Sequence, residues 1–288
     1  MSSERNQVCH HFTVDVEEYF QVLALERYIS RAEWDMLPSR LDVGLRLLLD
    51  ILSEAQAVGT FFVLGWIADR HPELVREISA RGHEIASHGS DHRLVTTLTK
   101  TEFRESVRTS KNSLENTIGR SIFGYRAPNF SIGRGSEWAF EILVEEGYSY
   151  DSSVFPGRKG NRFALAERDP YCMRLAAGTL HEIPVATLKI GNTLLPAGGG
   201  AFFRHLPYEL VRSALRSAER RGIPGTFYIH PWELDTKQPR VRTSRLTRLR
   251  HYGGLARTAH RLERLLTDFR FQPIGTTLGL RKAVPPVK

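Results

Sequence analysis

Two histidines stand four residues apart in the stretch GHEIASHGSDH, with only Gly89, Ser90 and Asp91 between His88 and His92. Imidazole nitrogens at that spacing can ligate one borderline-soft divalent ion such as zinc. The intervening residues favour a turn or the start of a helix, and either places both rings on one side. A catalytic ion needs a third protein ligand, a carboxylate or another His, and leaves a position open for water. The segment TVDVEEY supplies acids: Asp15 and Glu17 are two apart and point the same way on an extended strand. One can bind the ion while the other stands beside the water as a base. Taken singly, paired surface histidines and a solvated strand end are ordinary features.

Two further segments change the weighting. GYRAPNFS places Arg126 before a chain-stiffening proline, where a guanidinium can hold a carboxylate bidentately and keep it ionised. FYIHPWELD places His230 at the end of an apolar run, beside Pro231 and Trp232, and a His near neutral pKa is a natural general acid. A structural ion pair and a satisfied core histidine are the plain alternatives. An acid pair, HxxxH, Arg-Ala-Pro and a strand-end His in succession are much harder to reach by accident.

The elements that position these residues alternate. HHFTVDV, GTFFVLGWI, HEIAS, SIFGYRAP and GTFYIH read as strands. RLDVGLRLLLDILSEAQA, HPELVREISARG, TKTEFRESVRTSKNSLENTIG, GSEWAFEILVEEG and LPYELVRSALRSAERRG read as helices, and a last helical segment runs from about Ser244 to Phe269. Repeated β-then-α argues for parallel strands with helices outside, and in α/β barrels the loops after the strands build the active site. The expected fold class is therefore α/β, a distorted or incomplete TIM-like (β/α) barrel. Pro156 to Leu180 has no clear period and reads as an inserted loop; LLPAGGGAFFR reads as a glycine-rich loop beside the active rim.

Taken as 1–288, the chain reads as a single domain with a basic helical C-terminal extension from about 236 to 288. Apolar residues make up 41% and charged residues 25%, an ordinary globular balance. Two cysteines, Cys9 and Cys172, are too few for a disulfide framework. The first twenty residues show no apolar signal-peptide region, and no apolar run approaches a bilayer span, so a cytoplasmic location is expected. The net charge of +8 is partly carried by Arg240, Arg242, Arg245, Arg248 and Arg250. A solvated helix face accounts for them better than nucleic-acid binding, which is not expected, because charge runs without aromatic interleaving are weak signals. Docking to a polymer-synthesis complex at the membrane is the remaining use for them.

TVDVEE, SHGSDH, RAP and YIH, in that order, resemble the motifs of polysaccharide deacetylases with a NodB-homology domain, over roughly Phe12 to His230. DVEEYF, GYRAPNFSI, YDSSVFP, HPWELD and RLTRLRHYGGL are most similar to the branch associated with bacterial exopolysaccharide synthesis. The resemblance implies a NodB-type barrel and hydrolysis of N-acetyl groups on the amino sugars of an oligo- or polysaccharide or its precursor. It implies Asp15 as base, fixed by Arg126, and His230 as the acid that protonates the leaving amine. It implies a zinc-like divalent metal on His88 and His92. The family's first motif has adjacent aspartates, but Val16 occupies the second place here, so Glu17 is the expected third ligand and Glu18 its competitor. For the carboxylate that orients His230, Asp151 is the candidate, with Glu182 behind it. Tyr19, Tyr125 and Trp232 could stack on sugars. A metal-dependent amidohydrolase of small amides and an inactive carbohydrate-binding scaffold are the competing readings.

Overall fold

HHFTVDV forms β1 (His10–Val16), and all seven residues are buried. A strand buried on both faces must be covered on both, as in the parallel sheets of α/β proteins. The computed structural model describes residues 8–156 and 168–281. Within them the further strands are β2 (Thr60–Val63), β3 (Glu84–Ser87), β4 (Gly124–Tyr125), β5 (Tyr150–Asp151), β6 (Tyr171–Leu175), β7 (Gly178–Glu182), β8 (Thr187–Ile190), β9 (Thr193–Pro196), β10 (Thr226–Ile229) and β11 (Phe271–Gln272). The main sheet runs β10-β1-β2-β3-β4-β5-β7-β6, with β11 also on β1. All its pairings are parallel except β6 with β7.

The sheet does not close as a ladder. Two backbone bonds span the seam: Ala186 N–H to the Thr226 carbonyl (2.9 Å) and Tyr228 N–H to the Gly198 carbonyl (2.8 Å). Gly199 makes that approach possible, since a Cβ there would fall 1.8 Å from the Tyr228 carbonyl oxygen. This is the incomplete barrel expected from the sequence.

The helices are α1 (Leu41–Glu54), α2 (Gly65–Arg70), α3 (Pro72–Ala80), α4 (Lys100–Ile118), α5 (Trp138–Glu145), α6 (Gly200–His205), α7 (Tyr208–Arg220), α8 (Arg245–Tyr252), α9 (Thr258–Asp268) and α10 (Ile274–Thr277). Leu41, Leu45, Leu48, Leu49 and Leu52 put an apolar stripe of α1 into the core with Phe12, Val14 and Phe61. Fully burying each such leucine contributes roughly 1.5–3 kcal/mol. The Thr99 side chain and Glu102 form a capping box that starts α4, and Gly119 at φ 67° ends it.

Three expectations need correction. Of the stretch read as an inserted loop, residues 157–167 lie outside the described residues. Tyr171 onward forms the β6–β7 hairpin instead; β6 alternates half-buried with exposed residues at the sheet edge, and so lacks an apolar period. The glycine-rich LLPAGGGAFFR turns helical at Gly200 as α6. The final helical segment is two helices, because the chain leaves α8 at Gly253 and turns at Gly254 before α9. The segment from about residue 236 also supplies β11, which pairs with His10 and His11 of β1.

Candidate active site

β3 ends at Ser87, and the His88 backbone N–H continues the ladder to the Val63 carbonyl. Gly89 then takes φ 77° and His92 φ 57°. These two left-handed residues, not a helical turn, bring the rings together with centroids 5.6 Å apart. The Nδ1–H of His88 donates to the Arg126 carbonyl at 2.8 Å, which leaves Nε2 as the acceptor facing the site. Burial pulls the His88 pKa down to about 4, keeping the ring neutral.

Glu17, just past β1, completes the group: one ligand atom from each of Glu17, His88 and His92 lies within 4.8 Å of the others. Burial works against ionisation of Glu17, but the neighbouring imidazoles of His92 and His230 hold its pKa at about 2. Glu17 Oε2 stands 2.7 Å from His92 Nε2, yet this fully buried oxygen receives no hydrogen bond of acceptable angle. An ionised carboxylate and a tautomer-fixed imidazole in that arrangement fit a divalent cation. Glu18 turns away: its carboxylate accepts from the Ser39 hydroxyl and from the backbone N–H groups of Arg40 and Leu41, at the start of α1.

Arg126 follows β4 and is fully buried. Its Nη1 donates to Asp15 Oδ1 at 2.7 Å and to the Thr13 hydroxyl at 2.8 Å; Nε and Nη2 donate to the carbonyl and hydroxyl oxygens of Ser152. The contact to Asp15 is thus single rather than bidentate. One aspartate oxygen is anchored, and the other lies 3.8 Å from Nε2 of His230.

His230 follows β10. Its Nδ1 lies 2.7 Å from Glu233 Oε1, which also accepts the His230 backbone N–H at 3.0 Å. Glu233 Oε2 accepts from Arg204 Nε at 2.5 Å, with both side chains almost wholly buried. The His230 ring stacks on Trp232, centroids 5.3 Å apart. Burial lowers its pKa, but the carboxylates of Glu17, Glu233 and Asp15 prevail and push it up to about 9. Asp15, Glu17, His88, His92, His230 and Trp232 all line one cavity of about 740 Å³.

Comparison with known proteins accords with this arrangement. Residues 35–148 match the polysaccharide deacetylase domain, and residues 152–279 match a domain of unknown function, DUF3473. A chitooligosaccharide deacetylase of Bradyrhizobium is 29% identical over 191 residues, covering 64% of this chain and 80% of that protein. Residues 35–148 thus carry a polysaccharide deacetylase domain. Its fold matches that of a Mycobacterium smegmatis protein described as a polysaccharide deacetylase, with TM-score 0.65, 23% identity, and coverage of 100% of this chain and 96% of that one. It also matches Puue allantoinase, with TM-score 0.61, 17% identity, and coverage of 98% and 92%.

The structure departs from the sequence reading on the partner of His230. Asp151 and Glu182 sit opposite each other on β5 and β7. Asp151 accepts from the Ser153 hydroxyl and amide, and Glu182 from the Val154 amide. Burial raises the pKa of both, so the pair does not carry two full charges. Glu233 stands where Asp151 was expected. Its signal was in the sequence: HPWE has the form of a capping box, with Pro231 in the first turn and the acid three residues after the His. Of the aromatics expected at the rim, Tyr19 and Tyr125 are 2% exposed and pack within the protein, and Trp232 alone lines the cavity, where Phe130, Phe202 and Tyr228 join it.

Proposed function

We propose that this protein is a zinc-dependent hydrolase that removes N-acetyl groups from the amino sugars of a polysaccharide or its precursor, in exopolysaccharide biosynthesis. One observation carries the reading: the trio Glu17, His88 and His92 shares one cavity with a carboxylate anchored by Arg126 and an imidazole anchored by Glu233. The two-His, one-carboxylate donor set suits zinc. A divalent cation held there supplies positive charge for the amide carbonyl and lowers the pKa of water toward 7. Asp15, with one oxygen fixed, receives the proton of the attacking water. His230 gives its proton to the departing sugar amine, which would otherwise leave as a very poor amide anion. Each such acid–base role is typically worth about 10²- to 10⁴-fold in rate. Trp232, Phe130, Phe202 and Tyr228 offer ring faces to a sugar. A place beside a polysaccharide-synthesis complex at the inner membrane face is compatible with the motif likeness to the exopolysaccharide branch.

The test is acetate release from N-acetylglucosamine oligomers by the purified protein, before and after chelation and on adding zinc back. Release that needs the metal and is lost in Asp15→Asn supports the reading; a zinc-loaded protein that releases no acetate from any N-acetylated glycan removes it. A second reading, hydrolysis of a small amide, draws on the shared fold with the allantoinase. Allantoin and linear ureides assayed beside the oligomers separate the two.

A further inference from the structure

Between Asp235 and Glu263 the chain carries eight lysines and arginines and no acid. Of the acids that bound this stretch, Asp235 binds Arg40 at 2.8 Å, and Glu263 lies 3.8 Å from His260. α8 occupies the middle of it. His251 and Tyr252 are the buried residues of α8, whereas Arg245, Arg248 and Arg250 are exposed, and Leu246 and Leu249 are 76% and 64% exposed. Spacing of i and i+3 sets the two leucines side by side on the outer face, with arginines on either flank. The segment before α1 adds to this surface: Leu23 is 37% exposed, Arg27 is exposed, and the Tyr28 hydroxyl accepts from the Ser244 backbone N–H at 3.2 Å. Leu23, Arg27, Ser244, Leu246 and Arg250 also form part of the cavity wall. The basic, leucine-bearing surface is therefore the outer lip of the active-site opening.

We propose that this lip docks on an anionic lipid surface. Arginines alone would suit any polyanion. The leucines decide the occupant, because a soluble acidic glycan offers them nothing apolar, whereas the headgroup–acyl boundary takes leucines inward and leaves guanidinium groups among lipid phosphates. Among the described residues no helix is long and apolar enough to cross a membrane, so the contact is with the surface of the bilayer. Seated in this way, the opening faces the lipid, and the substrate is a glycan presented from the membrane. That consequence for the substrate rests on the deacetylase reading; the docking itself does not.

The experiment is sedimentation of the full chain with vesicles of phosphatidylglycerol and phosphatidylcholine, against vesicles of phosphatidylcholine alone, at low salt and at about 0.15 M salt. Binding should require phosphatidylglycerol and weaken with salt. Near the surface each arginine is worth roughly fivefold in binding, so Arg245→Glu/Arg248→Glu should bind at least about tenfold more weakly. Leu249→Ser should also bind more weakly, by about threefold or more. Both variants should keep the wild-type circular dichroism and acetate release from soluble oligomers. Failure of the wild type to sediment with anionic vesicles overturns the proposal, as does equal binding to phosphatidylcholine. Unchanged binding by Leu249→Ser also overturns it, and points to a soluble polyanion as occupant. None of these outcomes depends on catalysis, so inactivity toward every glycan would end the deacetylase reading and leave this result standing.

Discussion

A single oxygen of Glu233, Oε1, holds His230 twice, through the ring nitrogen Nδ1 at 2.7 Å and through the backbone N–H at 3.0 Å. The second carboxylate oxygen is taken by Arg204. Ring orientation and tautomer are thereby set by a residue on the same short turn, so Nε2 is the nitrogen that faces the cavity. Glu233→Gln preserves the shape but not the charge. Its kcat should fall by about 10²-fold or more, with KM little changed, because loss of the carboxylate behind a catalytic histidine disturbs its tautomer and its protonated form. Steady-state kinetics on N-acetylglucosamine oligomers checks this, and Glu233→Asp should recover part of the loss. Equal kcat in wild type and Glu233→Gln would remove Glu233 from the proton-transfer machinery.

Arg126 is wholly buried with its charge matched by Asp15. Arg126→Met leaves that carboxylate buried without its cation, a change that costs roughly 3–5 kcal/mol. Arg126→Lys keeps the charge but cannot reach Asp15 and Ser152 together, since the ammonium lacks the planar fork. The methionine variant should fold poorly. The lysine variant should fold, melt at a lower temperature and lose activity. Thermal melts followed by circular dichroism, paired with the acetate assay, test both.

Zinc should stabilise the wild type and not His88→Ala/His92→Ala. A ligand at 100 times its dissociation constant adds about 2.7 kcal/mol, which for a chain of this size is a rise of roughly 5 °C or more in melting temperature. Differential scanning calorimetry of chelated protein, with and without added zinc, gives the result, and elemental analysis gives the stoichiometry. An equal rise in the double variant would place the metal elsewhere.

Stability should also depend on pH through histidines outside the cavity. Burial lowers the pKa of His11 and of His83 from 6.5 to about 3. His11 sits between the hydroxyls of Thr226 and Thr277, and His83 Nδ1 accepts the Gly59 amide at 3.2 Å. Both are neutral in the folded protein, while the unfolded chain takes up protons below pH 6.5. Their effect on stability is thus absent above pH 6.5 and becomes destabilising as pH falls from there toward 3, at up to about 1.4 kcal/mol per pH unit for each. Urea midpoints should drop from pH 7 to pH 5, and His83→Gln should be less stable at pH 7 but show a shallower drop.

Much of the active rim could be read from the chain because its parts lie at strand ends with strong local signals. Asp15, His88, Arg126 and His230 lie at or just past the C-terminal ends of β1, β3, β4 and β10, and the parallel order of those strands converges them. Glu17 is preferred to Glu18 through the family resemblance together with strand alternation. What escaped the sequence depends on close packing. Asp151 looked available until β7 placed Glu182 opposite it, and β7 belongs to a hairpin with no apolar period. Arg204 gave no sign of its role, because its partners come from Glu233 and from carbonyls near residue 251. The break between α8 and α9 lies at two adjacent glycines inside a segment whose helical periodicity continues on both sides.

The donors of Arg204 that do not reach Glu233 end on the backbone carbonyls of Arg250, His251 and Gly253, 46 to 49 residues further along the chain. The proposed acid–base group of the rim is therefore closed by carbonyls that lie well beyond the arginine in the chain. A ribosome that has finished every residue lining β1 to β10 has still not produced the carbonyls that seat Arg204. The proposed activity therefore has to wait for α8, and a chain cut short before Gly253 should carry every proposed metal ligand and still turn over no substrate.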